Sequence, residues 1–258
     1  MSPPGPAPAS AWAPLPAADR LIVALDVPDI DRAAALLRML RPVVSWFKVG
    51  SQLFTAAGPA AVALVHEHEA RVFLDLKFHD IPTTVAGAVE SAAALGVAMM
   101  NVHIAGGEAM LRAAAASSAA GAGRWAPGWS RPIVLGVTVL TSDIAGSDAR
   151  DRVLRAARLA HGCGLDGVVC SPWEAAPIKD ACGRAFVVVT PGIRAQVPGL
   201  DDQRRVATPA EALRAGADLL VVGRPITRAP DPLVAAAAIR EQLDAAFSIS
   251  GLSATKAP

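Results

Sequence analysis

Short runs of apolar, mostly β-branched residues alternate along the chain with longer alanine-rich stretches. The runs cover 21–26, 45–49, 72–77, 99–103, 133–140, 167–170, 186–190 and 219–223, and each has the length and composition of a buried strand. Between them, 31–40, 85–95, 109–120, 150–161 and 232–243 carry patterns long enough for crossover helices. Strands alternating with helices in this way predict an α/β protein with a single (β/α)8 TIM barrel. A doubly wound open sheet has the same alternation. Its dinucleotide fingerprint is missing, however, because the first run continues into Asp26-Val27-Pro28-Asp29 with no Gly-x-Gly-x-x-Gly.

In a barrel of this kind the carboxyl ends of the strands carry the chemistry, while the interior is filled by branched aliphatic side chains. Polar residues gather at those ends: Asp26, Lys48, Asp75 with Lys77, Asn101 with His103, Thr138 with Thr141, and Gly223-Arg224. Asp75 and Lys77 are two positions apart in a strand, so they face the same side with Cα atoms about 6.5 Å apart. Taking both charges out of water is costly unless their geometry is good, which leaves a structural ion pair or a functional one. The second strand adjoins the third, so Lys48 is expected to join a row of alternating charge, Lys48, Asp75, Lys77 and Asp80, that keeps each lysine protonated.

Other residues have an ordinary reading beside the functional one. Lys48 alone could be a snorkelling surface lysine. Asp26 could cap the following helix, a role equally open to Asp29. His79 and His103 read as satisfied structural histidines, since no further ligand accompanies either at metal spacing. Two segments, Thr190-Pro191-Gly192-Ile193-Arg194 and Val222-Gly223-Arg224-Pro225-Ile226, each join a glycine to an arginine at the positions where barrels bind phosphate. Gln203 lies on a long connection after the seventh strand, of the kind that often covers a site.

Composition narrows the classes. With 258 residues, 53% hydrophobic content and a formal net charge of +1, the chain suits one barrel and offers no basic surface for nucleic acid. The apolar runs are far shorter than the ~20 residues that span a bilayer, so no membrane role is expected. Three cysteines, Cys163, Cys170 and Cys182, lack metal-ligand spacing and point to a reducing compartment, hence a cytoplasmic location. Residues 1–18, rich in proline and alanine, read as a disordered leader without secretory features, 19–247 as the catalytic barrel and 248–258 as a flexible tail.

The motif Asp75-x-Lys77-x-x-Asp80-Ile81-Pro82-x-Thr84, taken with Pro191-Gly192-Ile193-Arg194 and Val222-Gly223-Arg224-Pro225-Ile226, resembles the orotidine 5′-phosphate decarboxylase family. Leu25-Asp26, Phe47-Lys48-Val49-Gly50, Asn101-Val102-His103 and Val137-Thr138-Val139-Leu140-Thr141-Ser142 extend the resemblance over all but the leader and tail. It implies loss of CO2 from orotidine 5′-monophosphate to give uridine 5′-monophosphate, the last step of de novo pyrimidine synthesis, with neither cofactor nor metal. It also implies a homodimer with sites at the subunit interface. On this resemblance Lys77 protonates C6, and Lys48, Asp75 and Asp80 complete the charged array. Asp80 and Thr84 are supplied across the dimer, and Asp26 and Lys48 hold the ribose. Thr141 lies near the base, and Arg194, Gln203, Gly223 and Arg224 bind the phosphate. Two rivals share some of these features: Mg2+-dependent sugar-phosphate relatives with an Asp-x-Lys-x-x-Asp motif, and a catalytically silent phosphate-binding barrel.

Overall fold

The apolar runs hydrogen-bond to one another in sequence order: β1 (Leu21–Ala24), β2 (Trp46–Gly50), β3 (Arg71–Phe78), β4 (Met99–His103), β5 (Ile133–Val137), β6 (Gly167–Val169), β7 (Val187–Thr190) and β8 (Leu219–Val222). Every pairing is parallel, and β8 returns to β1 to close the ring. This is a (β/α)8 barrel, seen in a computed structural model that describes residues 17–118, 131–138, 149–194 and 207–249.

Ten helices are present among the described residues: α1 (Ile30–Leu40), α2 (Ser51–Ala57), α3 (Pro59–Glu67), α4 (Pro82–Ala94), α5 (Gly107–Ser117), α6 (Ala149–Gly162), α7 (Ala175–Cys182), α8 (Pro209–Arg214), α9 (Arg224–Thr227) and α10 (Pro232–Ile249). The sequence pattern misses α2 and α3, which divide at Gly58 in a positive-φ conformation followed by Pro59. Alanine gives such short helices little periodic contrast between faces. Strand five is described from Ile133 to Val137; beyond it the Thr138 N–H still donates to the Val169 carbonyl of β6 at 3.3 Å, and 139–140 lie outside the described residues. The expected leader lies outside them up to residue 16, with Ala17 and Ala18 opening a 3₁₀ turn (Ala17–Arg20). The expected tail lies outside them beyond Ile249, where α10 ends.

Side-chain alternation divides the apolar residues into two clusters. Ile22, Trp46, Phe73, Met99, Leu135 and Val189 belong to one, inside the ring. Neighbours of opposite parity, among them Val23, Phe47, Leu74, Met100, Val168 and Val188, pack outward with the helices. Both faces of the sheet are therefore buried, as an all-parallel sheet requires. Between β6 and β7, Gly167 brings the backbones close: a Cβ there would lie 2.2 Å from the Val187 carbonyl oxygen.

The amino ends of the strands are held by carboxylates that serve charge and backbone together. Asp166 receives both Arg131 guanidinium nitrogens, at 2.7 and 2.6 Å, and the Val134 N–H at 2.9 Å. Asp218 does the same for Lys179 and the Val188 N–H. Stability features belong at this end of the barrel, which leaves the opposite rim for chemistry.

Candidate active site

Carrying the inward parity upward from the apolar floor gives the rim. Two residues beyond Ala24, Trp46, Phe73 and Met99 stand Asp26, Lys48, Asp75 and Asn101, so a polar layer rests directly on the interior core. The Lys48 ammonium lies 2.8 Å from Asp26 Oδ1 and 3.2 Å from Asp75 Oδ2. Lys77 Nζ lies 2.6 Å from Asp75 Oδ1. The charges thus alternate in an unbroken chain, Asp26–Lys48–Asp75–Lys77. The Lys77 side chain is 39% exposed at one end, against 12% for Asp75 and 10% for Lys48.

Burial alone pushes the Asp75 carboxyl upward, but Lys48, Lys77 and the Asn101 hydrogen bond outweigh it and hold the group below its ordinary value. Burial likewise opposes the charged form of Lys48, and Asp75 and Asp26 reverse the balance, so its ammonium is held above the ordinary lysine value. Both groups stay ionised over the neutral range as a result.

The close approach of Lys48 and Asp26 depends on Gly50. A Cβ there would lie 2.9 Å from Lys48 Nζ and 3.0 Å from Asp26 Oδ1, displacing the pair. Asp29 takes the capping role, accepting the Arg32 N–H at 2.8 Å, and Asp26 is left to the ion pair.

Within its own subunit Asp80 does not join the expected row. It forms no ion pair with Lys48 or Lys77 among the described residues; its carboxylate accepts the Ile81 N–H at 2.6 Å and is exposed. The cause is the end of the strand. Beyond Phe78 the chain turns into α4, which opens at Pro82, and Asp80, three residues past Lys77 and of the opposite parity, lies in that turn. Thr84, in the first turn of α4, is also exposed. Asp26 takes the fourth place in the row.

The two glycine–arginine segments follow β7 and β8 as the sequence reading requires. Arg194 is fixed by a parallel bridge between Ile193 and Ala207, with its N–H donating to the Ala207 carbonyl at 3.1 Å. Gly223 caps the short helix α9, which Arg224 and Pro225 open. A Cβ on Gly223 would lie 3.6 Å from the Ala24 Cβ and 3.9 Å from Asp26 Oδ2, so this turn adjoins the start of the charged chain. Thr141 and Gln203 lie outside the described residues.

His79 and His103 stack on each other with ring centroids 5.3 Å apart, and His103 accepts the Ala105 N–H at 3.4 Å. All three cysteines are buried and unpaired, and burial pushes the Cys170 thiol well up. No described helix is long and apolar enough to cross a membrane.

Two contributors carry little sequence signal. Gly50 reads as a strand end, and only its place two residues after Lys48 on the inward parity marks it. Asn101 reads as one more polar strand end, yet its side chain contacts both Asp75 and the Lys77 backbone.

Comparison with known proteins agrees with this geometry. The family described as Orotidine 5'-phosphate decarboxylase / HUMPS family matches residues 19–239. The orotidine 5'-phosphate decarboxylase of Moorella thermoacetica is 52% identical over 240 residues, covering 88% of this chain and 93% of the relative. That of Halorhodospira halophila is 51% identical over 240 residues, covering 90% and 99%. Among solved structures, the orotidine 5'-phosphate decarboxylase of Lactobacillus acidophilus superposes with a TM-score of 0.75 at 36% identity, covering 88% of this chain and 99% of that one. An uncharacterized conserved protein from Geobacillus kaustophilus gives 0.73 at 37% identity, covering 86% and 99%. A closed barrel bearing this charged chain, matched over nearly its whole described length, belongs to the orotidine 5′-phosphate decarboxylase / HUMPS family.

Proposed function

We propose that this chain decarboxylates orotidine 5′-monophosphate to uridine 5′-monophosphate, with Lys77 donating the proton to C6. The chain Asp26–Lys48–Asp75–Lys77 carries the reading, because it ends in an ammonium fixed at the mouth of the barrel. Breaking the bond from C6 to the carboxylate leaves an electron pair in the plane of the ring, where delocalisation is poor. A preorganised positive charge beside C6 stabilises that pair as it develops. The C6–H bond then forms with a proton from Lys77, CO2 departs, and the amine regains its proton from solvent.

The remaining residues hold the two ends of the nucleotide. Asp26 and Lys48 lie beside the Gly223 turn, which suits a ribose between the charged chain and a phosphate held by Arg194, Gln203, Gly223 and Arg224. Thr141 is assigned to the base. Asp80 and Thr84, exposed together at the start of α4, are assigned to the site of a second subunit in a homodimer. Pyrimidine biosynthesis in the cytoplasm is the setting of this reaction.

A metal-free reaction fits the donor set. Asp75 Oδ2 is engaged by Lys48, and Oδ1 by both Lys77 and Asn101. A divalent cation would have to displace ammonium groups to reach that carboxylate. Purified, EDTA-treated protein is expected to deplete the absorbance of orotidine 5′-monophosphate and yield uridine 5′-monophosphate. No conversion would move the assignment to the metal-dependent sugar-phosphate relatives, and conversion only after Mg2+ is restored would overturn the metal-free reading.

Binding energy from the unreacting phosphate contributes to the rate as well as to affinity. Arg224→Ala is therefore expected to lower kcat/KM by about 10²- to 10³-fold, the range found when one partner of a charged contact is removed. Steady-state kinetics against wild type check this, and an unchanged kcat/KM would refute the phosphate role.

A further inference from the structure

Lys77 has a backbone that its side chain does not favour. Its φ of +52° lies in the left-handed region, which among described non-glycine residues only Glu69 shares. The turn falls where β3 and β4 lose register: Leu74 pairs with Met100, but the next pairing is Phe78 with Val102. Four positions on β3 thus oppose two on β4, and Asn101 sits opposite the excess. Its Oδ1 accepts the Lys77 N–H at 2.7 Å, and its Nδ2 donates to Asp75 Oδ1 at 2.6 Å. The residue is only 1% exposed, and its amide replaces the ladder bond that the irregularity removes.

We propose that Asn101 is a positioning residue for the reaction: by clamping the Lys77 N–H and the Asp75 carboxylate together, it fixes the left-handed turn that aims the Lys77 ammonium at C6. One amide thus sets the backbone of the proton donor and the orientation of its counter-ion at once. This inference rests on the proposed role of Lys77.

Asn101→Leu, near in size but unable to make either bond, tests it. The expected result is a kcat about 10²-fold below wild type, the scale of a misplaced reacting group, with KM and the Kd for uridine 5′-monophosphate within about threefold. A role confined to folding would lower the melting temperature and leave kcat per folded molecule unchanged, and that outcome would overturn the proposal. Asn101→Asp gives a second test should the leucine variant fail to fold. Asp75 and Lys77 face position 101 directly, with Lys48 beyond Asp75, so a new carboxyl there is expected to share a proton with Asp75. When protonated it mimics the amide, so kcat relative to wild type should rise as pH is lowered; a flat ratio counts against the clamp. A crystal structure of whichever variant folds separates the clamp from turnover. An extended Lys77 in Asn101→Leu, or a left-handed one held by the new carboxyl in Asn101→Asp, supports the clamp even if wild type proves inactive on this nucleotide. A left-handed Lys77 still seated on Asp75 in Asn101→Leu, or an extended one in Asn101→Asp crystallised at low pH with its carboxyl protonated, overturns it.

Discussion

Lys77→Ala is expected to lower kcat by at least about 10⁴-fold while leaving the barrel folded. Two effects end together. Removing one preorganised electrostatic contact of this kind costs about 10²- to 10³-fold, and loss of a positioned general acid costs about 10²- to 10⁴-fold. Even at the low end of each range their product reaches about 10⁴. The fold should tolerate the change, because the side chain is 39% exposed and alanine leaves no large cavity at the mouth. Single-turnover assays with wild type beside the variant, and circular dichroism of both, check the result. A variant retaining a tenth of wild-type turnover would remove Lys77 as proton donor.

Asp75→Asn should damage stability and activity together. The substitution keeps size and an acceptor for Asn101 but removes the negative charge between two ammonium groups. Lys48 retains Asp26, and Lys77 loses its carboxylate. Breaking a buried pair from one side costs about 3 kcal/mol or more, and that is the expected loss of unfolding free energy at pH 7. The pH dependence follows from the direction of each shift. Asp75 is held below its ordinary value, so its contribution is complete above about pH 4, the unfolded value, and is lost as pH falls through the lower folded value. Lys48 is held above its ordinary value, so its contribution is complete below about pH 10 and is lost only as pH rises through the folded value. The stability gap between wild type and Asp75→Asn should therefore be widest in the neutral range and close on acidification below about pH 4. Denaturant titrations at several pH values measure that gap, and one that does not narrow in acid would show that the Asp75 charge is not its source.

The barrel was legible because its signal is redundant. Each strand is a compact apolar run, and the inward parity is repeated around the ring. The partnership of Asp75 with Lys77 was legible from their spacing, and Lys48 from the adjacency of β2 and β3. Asp80 stands outside the row within one subunit because it lies three residues past Lys77, on the opposite parity and beyond the end of β3 at Phe78. The left-handed backbone of Lys77 has no local signal at all: nothing in Leu76-Lys77-Phe78 favours positive φ, and the conformation is imposed by Asn101 from the next strand. Short helices such as α2 and α3 escaped for a different reason, since their burial rests on few residues.

The left-handed turn also bears on how such a sequence can change over time. Folding alone would favour glycine or asparagine at position 77, and a lysine held there costs on the order of 1 kcal/mol. Selection for catalysis and selection for thermal tolerance therefore pull in opposite directions at this one codon. A lineage released from selection for decarboxylation would be expected to lose the lysine early and keep the barrel, leaving a sturdier scaffold without its chemistry.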